Sequence, residues 1–172
     1  MPRAIYACDI GSIRAGTFAW ARIGPDGGNP IASTDIDNLV SRLLQDVSTD
    51  DMSIAIGFES PLFMPVPADS SNLCHGRNGE GNRAMFAPSG ATVATLGLHE
   101  IAWILKSIYD RAGVVLSYTL DWKVWPPQGA SRILLIWEAF VSGVAHSDSH
   151  EQDAATAAVF FQANENNLNI VN

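Results

Sequence analysis

The stretch "SIAIGFESPLF", residues 53 to 63, runs apolar and small through Phe58, meets Glu59, and stops at Ser60-Pro61. A short apolar run closed by a turn signal reads as a buried strand. A carboxylate at the end of such a strand is costly unless it is paired, hydrated or bound to a metal. The arrangement recurs upstream in "AIYACDIGS" (4 to 12), where the run ends on Asp9, and downstream in "RILLIWEAF" (132 to 140), which carries Glu138. A fold with three acid-tipped strands is the frame for everything between them.

Working outward, "TFAWARI" (17 to 23) reads as a second strand, "GPDGGNP" (24 to 30) as a turn, and "IAST" (31 to 34) as a short third strand, making an antiparallel meander. The period then changes. Ile36, Leu39, Val40, Leu43, Leu44 and Val47 follow the spacing of an amphipathic helix, with Thr34 or Asp35 as N-cap. Residues 60 to 90 read as a long loop rich in Gly, Pro, Ser and Asn, a length that in compact domains usually serves function. A helix is predicted over 91 to 112, burying Ile101, Ile104, Leu105, Ile108 and Tyr109 and stopped by Gly113. "VVLSYTL" (114 to 120) reads as extended, "DWKVWPPQGAS" (121 to 131) as a loop, and "RILLIWEAFV" (132 to 141) as a further strand. The last helix starts near "HSDSHEQDAATAAVFFQ" (146 to 162), capped by Asp148 or Ser149, with Ala154, Ala155, Ala157 and Ala158 forming a small-residue face. The expectation is one α/β domain over residues 1 to 172, with a five-stranded mixed sheet, antiparallel meander first and parallel strands after, and helices on its faces.

A net charge of −8 argues against gripping nucleic acid through a general basic surface, while leaving room for an enzyme that meets phosphates through bound cations. Cys8 and Cys74 form no CxxC pair, and Cys8 sits in an apolar run as a small buried hydrophobe. The first strand begins almost at once and carries Asp9, so no signal-peptide core precedes it. The longest apolar run, "ILLIWEAFVSGVA", is too short for a bilayer and contains Glu138. These features predict a reduced, cytoplasmic chain with no membrane partner.

In a sheet with parallel strands, the C-terminal strand ends share one edge, where ligands bind. Asp9, Glu59 and Glu138 would meet there, joined by Asp153 from the start of the last helix. Crowded carboxylates repel unless a cation sits among them, and their oxygens suit Mg²⁺ or Mn²⁺. Two such ions about 4 Å apart clamp the attacking and leaving oxygens of a phosphodiester.

The segments "YACDIGSIRAGTFAWARI", "IAIGFESPLF", "LLIWEAF" and "HEQDAATAAVFF" resemble the signature segments of the RNase H-like superfamily. The likeness is to a branch described as predicted nucleases or as a domain of unknown function. Asp9 and Gly11 match its D-x-G turn, Glu59 with Pro61 and Leu62 its acid before a Pro-Leu pair, Glu138 its late-strand Glu, and Asp153 its helix-opening Asp. The chain departs from the pattern after Glu138, where "EAFVSG" has neither the usual His or Tyr nor the Pro. The resemblance implies a Mg²⁺- or Mn²⁺-dependent nuclease or related phosphodiester hydrolase. Asp9, Glu59 and Asp153 would be its metal ligands and catalytic acids, Glu138 or Asp148 an auxiliary, and His150 a proton shuttle. Two rivals stand beside it. One is an RNase H-like binding or assembly protein with a vestigial site. The other is a half-size relative of the actin and sugar-kinase phosphotransferases, whose first phosphate loop "DIGSIRAG" also resembles; those enzymes need two such halves.

Each residue also has a plainer reading. Asp9 can be a turn former before Gly11, Glu59 a solvated strand end or a partner for Arg14 or Arg22, Asp153 a favourable charge at a helix N-terminus, and Glu138 structural. Arg77 and Arg83 in "CHGRNGEGNR" (74 to 83) could grip phosphate, but the segment lacks the order and ending of a P-loop and reads as surface. His146 and His150, with Cys74 or His75, have zinc-like spacing that falls across a helix start. Trp122 and Trp125 around Lys123 offer base stacking or, more simply, packing under a Pro-rich loop.

Overall fold

The computed structural model describes residues 2–64, 66–76, 86–114, 117–125, 132–139 and 147–166. Six strands form one mixed sheet: β1 (Arg3–Asp9), β2 (Ala19–Ile23), β3 (Ile31–Ser33), β4 (Ser53–Phe58), β5 (Ser117–Thr119) and β6 (Ile133–Glu138), in the order β3-β2-β1-β4-β6-β5. The first three strands are an antiparallel meander, and β1, β4, β6 and β5 run parallel to one another. The sheet therefore has six strands rather than five. The extra one is the three-residue β5, which lies inside the segment read as extended at 114 to 120 and joins the sheet by pairing with β6.

Three helices pack on the sheet: α1 (Ile36–Ser48), α2 (Pro88–Arg111) and α3 (His150–Ala163). Asp35 caps α1 by accepting from the Asp37 and Asn38 amides, and Ser149 caps α3 by accepting from the Gln152 amide. Helix α2 begins at Pro88, three residues before the pattern suggested, because proline is well suited to a first helical turn. Its buried face is Gly97, Glu100, Ile104 and Ile108, while Tyr109, expected inside, is 78% exposed. No helix among the described residues is long and apolar enough to cross a membrane.

Strand alternation divides the core in two. Ala4, Tyr6 and Cys8 of β1, Ile54, Ile56 and Phe58 of β4, and Leu134 and Ile136 of β6 face α1 and α2. Ile5 and Ala7, Ala55, and Leu135 and Trp137 face the opposite way, onto Ala157, Ala158 and Phe161 of α3. Ala154, Ala155, Ala157 and Ala158 of α3 are all buried, so the helix backbone comes close to the sheet. Trp137 stacks on Phe161 with ring centroids 4.4 Å apart. It can lie flat across β4 because its neighbour there is Gly57, where a β-carbon would come within 2.3 Å of the indole.

Candidate active site

Parity along β1 and β4 decides where the strand-end acids point. Asp9 continues the Ile5 and Ala7 series and Glu59 follows Gly57, so both belong to the α3 face. Asp153 reaches the same place from the first turn of α3. Asp9 is 5% exposed and Asp153 4%, whereas Glu59 is half-buried. The Asp9 carboxyl is hydrogen-bonded to the Glu59 side chain and lies within the field of Asp153. Burial, the larger influence, and Asp153 push the Asp9 carboxyl above the usual carboxylate range, and the Glu59 contact pulls it back.

His150, the first residue of α3, places Nδ1 2.7 Å from Asp9 Oδ2, with its side chain 47% exposed. Asp153 lies three residues further along, on the same side of the helix, where its Oδ1 accepts a 2.5 Å hydrogen bond from the Ser147 amide. The cluster thus sits at the positive end of α3, which favours negative charge.

The D-x-G turn has its own physical reason. A β-carbon on Gly11 would lie 2.1 Å from the Thr17 carbonyl oxygen, and Thr17 Oγ1 accepts from the Ser12 amide at 2.8 Å. The β1–β2 loop folds back against the backbone directly after Asp9, so only glycine fits.

Glu138 occupies a different place. It pairs with Phe58 across β4 and β6 and so shares its orientation, toward α2 and away from Asp9 and Glu59. There Oε1 accepts from the Leu62 and Phe63 amides, at 2.5 and 3.1 Å, tethering the start of the long loop. Asp148 is exposed. Arg22, weighed as a partner for Glu59, instead forms a bidentate pair with Asp46. Trp125 is buried against Phe161, Trp122 is half-buried beside it, and Lys123 lies over the Trp122 ring. Cys74 and His75 are exposed. Arg77, Arg83 and His146 lie outside the described residues, as does much of the loop from 60 to 90.

Among the described residues, no group of three or more His, Cys, Asp or Glu side chains stands in an arrangement able to hold a metal ion as it is. The donor chemistry of Asp9, Glu59 and Asp153 is nevertheless all-oxygen and suited to a hard divalent cation. Glu100 escaped the sequence reading. Its position four residues before Ile104, inside the apolar stripe of α2, was the available signal. Comparison with protein-family models, with curated proteins and with solved structures gives no match.

Proposed function

We propose that the protein is an RNase H-like hydrolase of phosphodiesters, nucleic acid among them, working with Mg²⁺ or Mn²⁺ at the Asp9 cluster. The observation that carries this reading is the gathering of Asp9, Glu59, Asp153 and His150 at the carboxyl end of the central strand. An antiparallel meander followed by parallel strands supports the RNase H-like assignment. Asp9, Glu59 and Asp153 would hold the cation, which when bound neutralises charge on a phosphodiester and polarises its oxygens. Asp9 orients His150, fixing the imidazole through Nδ1 and leaving Nε2 on the open side to accept or deliver a proton. Glu138 contributes by anchoring Leu62 and Phe63, just beyond Glu59.

A second reading, a binding or assembly protein with a vestigial site, is favoured by one observation: the acids do not converge on a single point among the described residues. Thermal melts in chelator and in Mn²⁺ separate the two. A cation that binds only the folded state at 100 times its Kd adds about 2.7 kcal/mol, or roughly 5 to 10 °C for a chain of this size. Asp9→Asn should abolish that shift and any nuclease activity while leaving the metal-free protein at least as stable. Absence of a shift in the wild type overturns the hydrolase reading and leaves the vestigial one.

A further inference from the structure

On the sheet face opposite the Asp9 cluster, α2 docks through four fully buried residues, and one of them is an acid. Glu100 is 7% exposed, and its Oε2 is buried with no hydrogen-bond partner among the described residues. One turn earlier, Gly97 meets Ser60 so closely that a β-carbon there would lie 2.1 Å from the Ser60 hydroxyl oxygen. That hydroxyl is also buried and without a partner among the described residues. Helix α2 therefore sits on the strand-end turn that carries Glu59 through a glycine contact, one turn before a carboxyl whose Oε2 is buried.

We infer that proton binding by Glu100 controls how firmly α2 docks on the sheet, and with it the seating of the Glu59–Ser60 turn. A buried carboxyl without a partner tolerates its protonated form far better than its charged form. Burial alone pushes the Glu100 carboxyl up to about 7. Among the described residues, the charged groups on the elements around it offer no relief. Cys8, facing α2 from β1, is a thiol whose own ionisation Glu100 opposes. On α1, Asp46 is engaged by Arg22 and Tyr6, and Asp37 and Arg42 are exposed. Glu59 is bonded to Asp9, and Glu138 to Leu62 and Phe63. On α2 itself, His99 is exposed, and Lys106 pairs with Asp110 in solvent.

The sign follows from the direction of the shift. Glu100 is held protonated in the docked helix and ionises readily once the helix lifts. Docking is therefore fully favoured at low pH and weakens as pH rises toward about 7. For a carboxyl moving from about 7 docked to about 4.5 open, the opening equilibrium grows about tenfold between pH 6 and pH 8. This inference does not depend on the metal site, since Glu100 lies on the other face.

Amide hydrogen exchange, corrected for intrinsic rates, tests it on the wild type, Glu100→Gln and Glu100→Leu at pH 6 and pH 8. The leucine variant keeps the test valid should a buried amide fail to fold. In the wild type, amides of α2 from 97 to 108 should be less protected than those of β1 and β4, and should lose protection about tenfold more than the variants between the two pH values. The Glu59 and Ser60 amides, which donate to Cys8 and Phe58 carbonyls, should follow α2. Identical pH profiles in wild type and variants, α2 protection equal to that of β1 and β4, or Glu59 and Ser60 amides that ignore α2 would each overturn the inference.

Discussion

Asp9 shows how one residue inherits its chemistry from its neighbours. A strand-end aspartate before a glycine is an ordinary turn former in isolation. Here it is buried, shares a hydrogen bond with Glu59, touches His150 and feels Asp153. Its raised protonation constant means that its contribution to stability is present at low pH and is lost as pH rises through the folded value. The glycine two residues on serves geometry alone. Gly11→Ala would drive a methyl group into the Thr17 carbonyl, which is backbone and cannot swing away. We expect a loss of about 2 to 4 kcal/mol, in the range of severe steric substitutions, read as a lower midpoint in urea. An unchanged midpoint would mean that the β1–β2 loop relaxes freely.

Between elements, charge fixes what apolar packing leaves loose. Asp46 of α1 accepts from Tyr6 at 2.6 Å and from Arg22 Nε and Nη2 at 2.8 and 2.7 Å, joining the helix to β1 and β2. Burial and the neighbouring Asp46 charge raise the Tyr6 hydroxyl far above its ordinary range. Asp46→Ala leaves a phenol and a mostly buried guanidinium without their acceptor. It should cost about 2 to 4 kcal/mol, and most of that loss should persist in 1 M salt because the pair is shielded from solvent. Loss of the effect in salt would identify the pair as a surface contact. Helix α3 works by closeness instead. Ala158 is fully buried against the sheet, so Ala158→Leu should cost about 1 to 3 kcal/mol through overpacking. In a melt, Ala163→Leu, at an exposed position near the end of the same helix, should change little.

For the whole molecule, burial pushes the Glu100 carboxyl up to about 7, so stability should increase as pH falls from 8 toward 6. The Asp9 carboxyl on the other face is raised in the same direction. Glu100 supplies about 1.4 kcal/mol of that change, the equivalent of its tenfold factor. Urea unfolding at several pH values reads the slope, and a flat or inverted profile would contradict the buried state of Glu100. The ends of the fold are tied by a second network. Glu165, beyond α3, accepts from Arg3 Nε and Nη2 and from Trp125 Nε1, linking the start of β1 to the far end of the last helix.

By itself the sequence determined the local order: the meander, the three helices, caps narrowed to Thr34 or Asp35 and to Asp148 or Ser149, and the acids that end β1, β4 and β6. Those are effects of neighbouring residues, and periodicity reports them directly. Tertiary structure decided what the acids mean. Register across β4 and β6 turned Glu138 toward α2, while Asp9 and Glu59 share the α3 face, and one residue of slip would have exchanged those sides. Pairing with β6 made β5 a strand, and the seating of α2 buried Glu100 while leaving Tyr109 in solvent. A charge is costly or useful according to groups that the chain brings from far away, and those distances are written only in the fold.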